Sequence, residues 1–130
     1  MSVTATCHCG AVSIEMDQAP ESVTACNCSI CRRYGALWAY SHPSMVRLIP
    51  ADAPTDTYQC HQKTQHFHRC PTCGCVTHWA SIDPHDDTTG VNARLLPPDV
   101  LGRARLRHLD GADTWAYLDG EGAPLTLPLS

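Results

Sequence analysis

The chain has 130 residues, enough for a single domain (1–130) with one core. Ten prolines, eight glycines and 43% apolar residues point to short strands and turns, and no apolar run approaches the roughly 20 residues of a membrane-spanning helix. The net charge of −4 is a poor match to a phosphate backbone, so neither nucleic acid nor membrane is expected as a partner.

In chain order the elements read as follows. The N-terminal stretch Met1 to Thr6 has neither a basic region nor an apolar block, so no export signal is read there. Val12, Ile14 and Met16 alternate with Ser13, Glu15 and Asp17, the pattern of a half-buried strand. Val3 to Cys7 is expected to pair with it as a hairpin, with Cys9-Gly10 at the turn. Val23 to Cys26 predicts a third strand. Ser29 to Tyr34 predicts one helical turn, capped by Ser29 or Asn27 and ended by Gly35. Leu37 to Tyr40, Met45 to Ile49 and Asp56 to Cys60 read as further strands. His66, His68 and Cys70 fall on one face of a strand, and Cys75 to Trp79 leads away from it. Val91 to Leu95 reads as a strand, Pro97-Pro98-Asp99 as a turn or short helix. Arg105 to Leu109 and Trp115 to Leu118 complete a mainly β fold.

Seven of the nine cysteines stand in three clusters: Cys7-His8-Cys9, Cys26-Asn27-Cys28-Ser29-Ile30-Cys31, and Cys70-Pro71-Thr72-Cys73. An odd count, no export signal and Cys-x-Cys or Cys-x-x-Cys spacing favour metal ligation over a disulfide scaffold. A reducing, cytoplasmic compartment follows. Cys70 and Cys73, followed by Gly74, form a zinc knuckle whose two intervening residues let both sulfurs face one metal. Cys7 and Cys9, two apart on a strand, point to the same side. Two ligands from each hairpin would close a four-cysteine structural zinc site.

Cys26, Cys28 and Cys31 make a one-sided cage that lacks a fourth ligand. Water, a substrate, or a protein group such as Cys60, Cys75 or a histidine could complete it, and the Cys-x-x-Cys pair also allows a redox dithiol. With the position open, three thiolates leave zinc a weak Lewis acid, less suited to making hydroxide than to holding a nucleophilic thiolate. Arg32 and Arg33 follow directly and could grip a substrate carboxylate. Cys60 and Cys75 read as small buried hydrophobes. His61, His66, His68 and His78 read as strand surface or as partners of ligands rather than ligands.

Cys7-His8-Cys9-Gly10-Ala11-Val12, Cys26 through Gly35, Cys70-Pro71-Thr72-Cys73-Gly74-Cys75, Val91-Asn92-Ala93-Arg94-Leu95-Leu96 and Arg107-His108-Leu109-Asp110-Gly111 together resemble the glutathione-dependent formaldehyde-activating enzyme family, which includes the centromere protein V domain. The resemblance implies a β-tent fold of short antiparallel sheets held by a structural zinc on Cys7, Cys9, Cys70 and Cys73. It implies a second zinc on Cys26, Cys28 and Cys31, completed by substrate thiol or water. The implied activity is that of a carbon–sulfur lyase that joins glutathione and formaldehyde in an S-hydroxymethyl adduct. A non-catalytic zinc-stabilised binding module related to centromere protein V is the competing expectation. His68-Arg69 before Cys70, and Val76-Thr77-His78 before Trp79, depart from the aromatic residues frequent in the family.

Overall fold

The structure, a computed structural model, describes residues 1–60 and 64–125; His61 lies outside them. The elements are β1 (Val3–Thr6), β2 (Ser13–Met16), β3 (Ser22–Cys26), α1 (Ser29–Tyr34), β4 (Trp38–Ser41), β5 (Val46–Ile49), β6 (Asp56–Gln59), β7 (Gln65–Arg69), β8 (Val76–Ser81), β9 (Thr89–Asn92), α2 (Pro98–Leu101), β10 (Arg105–Leu109) and β11 (Ala123–Pro124). The fold is mainly β, as the short alternating segments predict.

Two sheets form. The smaller has the order β1-β2-β5 and the larger β11-β10-β3-β4-β9-β8-β7-β6. All pairings are antiparallel except β3 with β10, which run parallel with Leu106 opposite Val23 and Leu109 opposite Cys26. Ile14 and Met16 of β2 are buried while Ser13 and Glu15 are not, the expected two-residue period.

The same period gives the larger sheet two different faces. Val23, Ala39 and Val91 pack with Ala5, Ile14 and Met16 of the smaller sheet in the main core. On the other face Trp38, Phe67 and Trp79 pack with Cys26, Cys28 and Cys31. A third small cluster, Cys7, Val12, Ala53 and Cys70, joins the far end of the first hairpin to the β7–β8 turn.

Several local expectations change. Helix α1 has the predicted span and Gly35 ends it with φ 65°, but its N-cap is Cys28, with no side-chain cap bond. Asn27 instead donates to Asp110 Oδ1 at 3.0 Å. The strand expected through Leu95 stops at Asn92, whose side chain accepts the N–H of Arg94 and starts a 3-10 turn over Ala93–Leu95. Trp115 to Leu118 forms no strand. Leu109 and Tyr117 make an isolated bridge, and Trp115 takes a left-handed φ of 59°. The alternation through His66 and His68 breaks before Cys70, where the register with β8 shifts between His68 and Arg69.

His68 and His78 face each other across β7 and β8 and stack with ring centroids 4.2 Å apart at 9°. Hydroxyls occupy their Nδ1 atoms, Thr55 on His68 at 2.7 Å and Thr77 on His78 at 2.9 Å. Burial, then the neighbouring His68, pushes the His78 pKa from 6.5 down to about 3. The unfolded chain therefore binds more protons than the folded one between those values, so stability falls as pH falls through that window. In urea unfolding, the stability advantage of wild type over His78→Gln should shrink steadily from pH 7 to pH 4. A constant gap would show that His78 does not resist protonation.

Candidate functional site

Two groups of thiols can hold a metal ion. In the first, the sulfurs of Cys7, Cys9, Cys70 and Cys73 all lie within 4.8 Å of one another. Cys7 follows β1 and is drawn back by its own hairpin, with Cys7 N–H donating to Val12 O and Gly10 N–H to Cys7 O. Gly10, with φ 85°, makes this tight return possible. The opposing β7–β8 turn closes through Gly74 N–H on Cys70 O and Cys70 N–H on Cys75 O. Cys9 Sγ thereby stands 3.7 Å from Cys7 Sγ and 3.6 Å from Cys70 Sγ. A tetrahedron of sulfurs at the Zn–S bond length has edges of about 3.8 Å. All nine cysteines are free thiols. Donor type, number and spacing thus fit a closed tetrahedral site.

Backbone amides surround these sulfurs. Val12 N–H points at Cys7 Sγ at 3.3 Å. The N–H groups of Cys75 and Cys9 pull the Cys73 thiol down to about 5. Cys75 thus contributes a donor to the first site; it is half-buried and belongs to neither sulfur group.

The second group is Cys26, Cys28 and Cys31, all buried and within 4.8 Å of one another. Cys26 ends β3, Cys28 caps α1 and Cys31 lies on the buried side of α1. A bond from Cys31, then the N–H groups of Cys28 and Gly111, draws the Cys26 thiol down to about 6 against the opposing effect of burial. Trp38 Nε1 donates to Cys31 Sγ at 3.3 Å. Among the described residues no fourth His, Cys, Asp or Glu joins this group. Cys60 packs beside it, half-buried, with its thiol pushed up first by burial and then by Cys28.

The three sulfurs open onto a cavity of about 80 Å³ walled by Trp38, Tyr40, Phe67, Trp79, Leu109 and Trp115, with Ile30 and Gln65 completing it. A roomier cleft of about 280 Å³ lies on the sheet face that carries His78 and Val91 and holds no thiol. Chemistry, not volume, selects the smaller one. Tyr40 packs edge-on against Trp79, with centroids 6.2 Å apart at 66°. Burial, followed by the neighbouring Tyr117 and the three cysteines, pushes the Tyr40 phenol pKa upward.

The sequence-predicted arginines lie apart from this cavity's walls. Arg32 and Arg33 are exposed in the last turn of α1, and Arg33 Nη1 donates to Ser29 O at 2.8 Å. His66, His68 and His78 join neither sulfur group. The aromatic walls were missed in the sequence because their strands come together only in the sheet. The role of Asp110-Gly111 is explained by the fold. Asn27 donates to Asp110 and accepts the N–H of Ala112 at 2.9 Å, strapping the 110–115 loop over the cluster. A Cβ on Gly111 would collide with Cys26 Sγ.

Gly111→Ala should therefore displace Cys26 and empty the second group while sparing the first. Native mass spectrometry of protein purified with zinc should show one ion per chain in the variant against two in wild type. Two ions in both would show that the loop does not constrain Cys26.

Comparison with known proteins agrees with this geometry. No curated protein matches the chain. A crystal structure of a Rhodobacter sphaeroides protein superposes with a TM-score of 0.64 at 34% identity, covering 79% of this chain and 98% of that one. The model of the glutathione-dependent formaldehyde-activating enzyme family matches residues 2–101, a span that contains all seven clustered cysteines and the aromatic residues of β4, β7 and β8. The chain belongs to the glutathione-dependent formaldehyde-activating enzyme family.

Proposed function

We propose that this protein, acting as one domain over residues 1–130, is a zinc-dependent enzyme of the carbon–sulfur lyase type. It forms or breaks an S-hydroxymethyl adduct between a glutathione-like thiol and a small aldehyde such as formaldehyde. The observation that carries this reading is the three-thiol group with no fourth protein ligand among the described residues, facing an aromatic cavity. Family membership supplies the substrate class. A non-catalytic module would be favoured by a protein ligand that closes the second group, and neither Cys60 nor Cys75 does so.

Two zinc ions per chain are expected. Cys7, Cys9, Cys70 and Cys73 would hold the structural one, and Cys26, Cys28 and Cys31 the other. The second ion, when bound, would supply a positive centre that keeps a substrate sulfur ionised at neutral pH. The protein's own groups do the rest. N–H donors from Trp38, Cys28 and Gly111 offset charge on the ligand sulfurs. The aromatic walls would hold a small carbon electrophile beside the sulfur. Arg32 or Arg33, both exposed on α1, would meet a carboxylate of a thiol that extends beyond the cavity. Reduced thiols imply a cytoplasmic setting, and no helix among the described residues is long and apolar enough to cross a membrane.

Two measurements test this. Cys73→Ser should destabilise the fold far more than Cys28→Ser, because the first breaks a closed site whose binding energy is also folding energy. Equal losses in melting temperature would make both ions structural. In cobalt-substituted protein, glutathione should change the sulfur-to-metal charge-transfer band, and Cys28→Ser should abolish that change. An unchanged wild-type spectrum, with no effect on hemithioacetal formation or breakdown, would leave the structural-module reading ahead.

A further inference from the structure

Adding a thiolate to an aldehyde makes an alkoxide, and that oxygen must receive a proton before the adduct can leave. The walls around the three thiols are poorly supplied for this. Among the described residues they carry no carboxylate, imidazole, ammonium or guanidinium, and no serine or threonine. Three kinds of polar group remain: the amide of Gln65, the indole N–H groups, and the hydroxyl of Tyr40. The Trp38 N–H is already committed to Cys31 Sγ. Amide and indole N–H groups can donate hydrogen bonds but do not surrender a proton in neutral water. A phenol, protonated at neutral pH, can do both.

We propose that the Tyr40 hydroxyl is the catalytic proton donor to the aldehyde oxygen. The assignment rests on the reading of this cavity as a thiol–aldehyde site. Three adjacent strands fix the side chain. Tyr40 of β4 and Trp79 of β8 both lie opposite Gly90 of β9. Any Cβ at Gly90 would collide with Trp79 Nε1, so glycine there lets the indole lie across the strand and brace the Tyr40 ring. Tyr40 as a residue keeps 39% of its surface accessible, so solvent reaches part of it.

The step balances. The thiolate sulfur pair forms the carbon–sulfur bond as the carbonyl π pair moves onto oxygen. That oxygen takes the phenol proton. The phenolate recovers, through water, the proton that the thiol released on ionising. In the reverse direction the phenolate removes the hydroxyl proton, and the carbon–sulfur bond breaks as the carbonyl reforms. The small volume and uncharged walls restrict the electrophile to a small neutral aldehyde.

The test is Tyr40→Phe in metal-loaded protein, with formaldehyde and glutathione as substrates. General acid–base catalysis is worth about 10²–10⁴ in rate, so kcat should fall by a factor in that range while KM for glutathione holds. Glutathione titration of the cobalt-substituted variant should give the wild-type spectral change at the wild-type midpoint, which reads thiol binding and folding apart from activity. Equal kcat in the two proteins would overturn the Tyr40 assignment and leave the thiol–aldehyde reading standing. Loss of the cobalt response in the variant would also overturn it, because Tyr40 would then serve thiol binding or folding. A wild-type protein that neither binds glutathione nor alters the reaction would remove both claims.

Discussion

The convergence of four sulfurs from two hairpins is the constraint on which this fold depends. Cys7 and Cys9 come from the end of the small sheet's first hairpin, Cys70 and Cys73 from the β7–β8 turn of the large sheet. Cys7 and Cys70 are almost wholly buried, at 3% and 0% exposure, and pack with Val12 and Ala53 in a cluster too small to hold two sheets by apolar burial alone. Four thiols gathered without disulfides would be an unstable arrangement if ionised and unpartnered. A tetrahedral dication would resolve that, and its binding energy would become folding energy.

Once the sheets are fastened at that end, the strand period assigns the two faces of the large sheet different work. Ala39 and Val91 face the small sheet, while Trp38, Tyr40 and Trp79 face the second thiol group. Small side chains on one face allow close sheet packing; large aromatic ones on the other build walls. The second thiol group itself lies within one short segment, from the end of β3 to the middle of α1. It needs support from outside that segment, and receives it from the Trp38 indole and from the 110–115 loop held by Asn27 and Asp110. Two groups of the same donor type thus have different surroundings. The first gathers four thiols, and the second gathers three beside an aromatic cavity.

The legible parts of the sequence were local. Cysteine spacing marked both sulfur groups that the fold gathers, since two- and three-residue intervals set sulfur separations almost independently of the rest of the chain. The alternation of Ile14 and Met16 with Ser13 and Glu15 placed β2, and Gly35 marked the end of α1. Features that depend on distant partners were not legible. The parallel pairing of β3 with β10 joins segments about eighty residues apart. Strand propensity in Trp115 to Leu118 lost to turn chemistry, with Thr114 Oγ1 donating to Asp110 and Trp115 in a left-handed conformation. Asn27 read as a helix cap because it precedes α1, yet its amide is used across the chain on Asp110 and Ala112. Tyr40 carried no motif at all. Its significance comes from the register that sets it opposite Gly90 and from the Trp79 ring beside it.

On the proposed function, the two sulfur groups would hold zinc differently, one closed and one open to a substrate thiol. X-ray absorption at the zinc edge tests it most directly, on protein loaded with two ions per chain, before and after glutathione. One ion should show four sulfur neighbours and the other three sulfurs and a lighter atom, the lighter atom giving way to a fourth sulfur when glutathione binds. Four sulfurs around both ions without glutathione, or no gain of sulfur with it, would rule out an open second site.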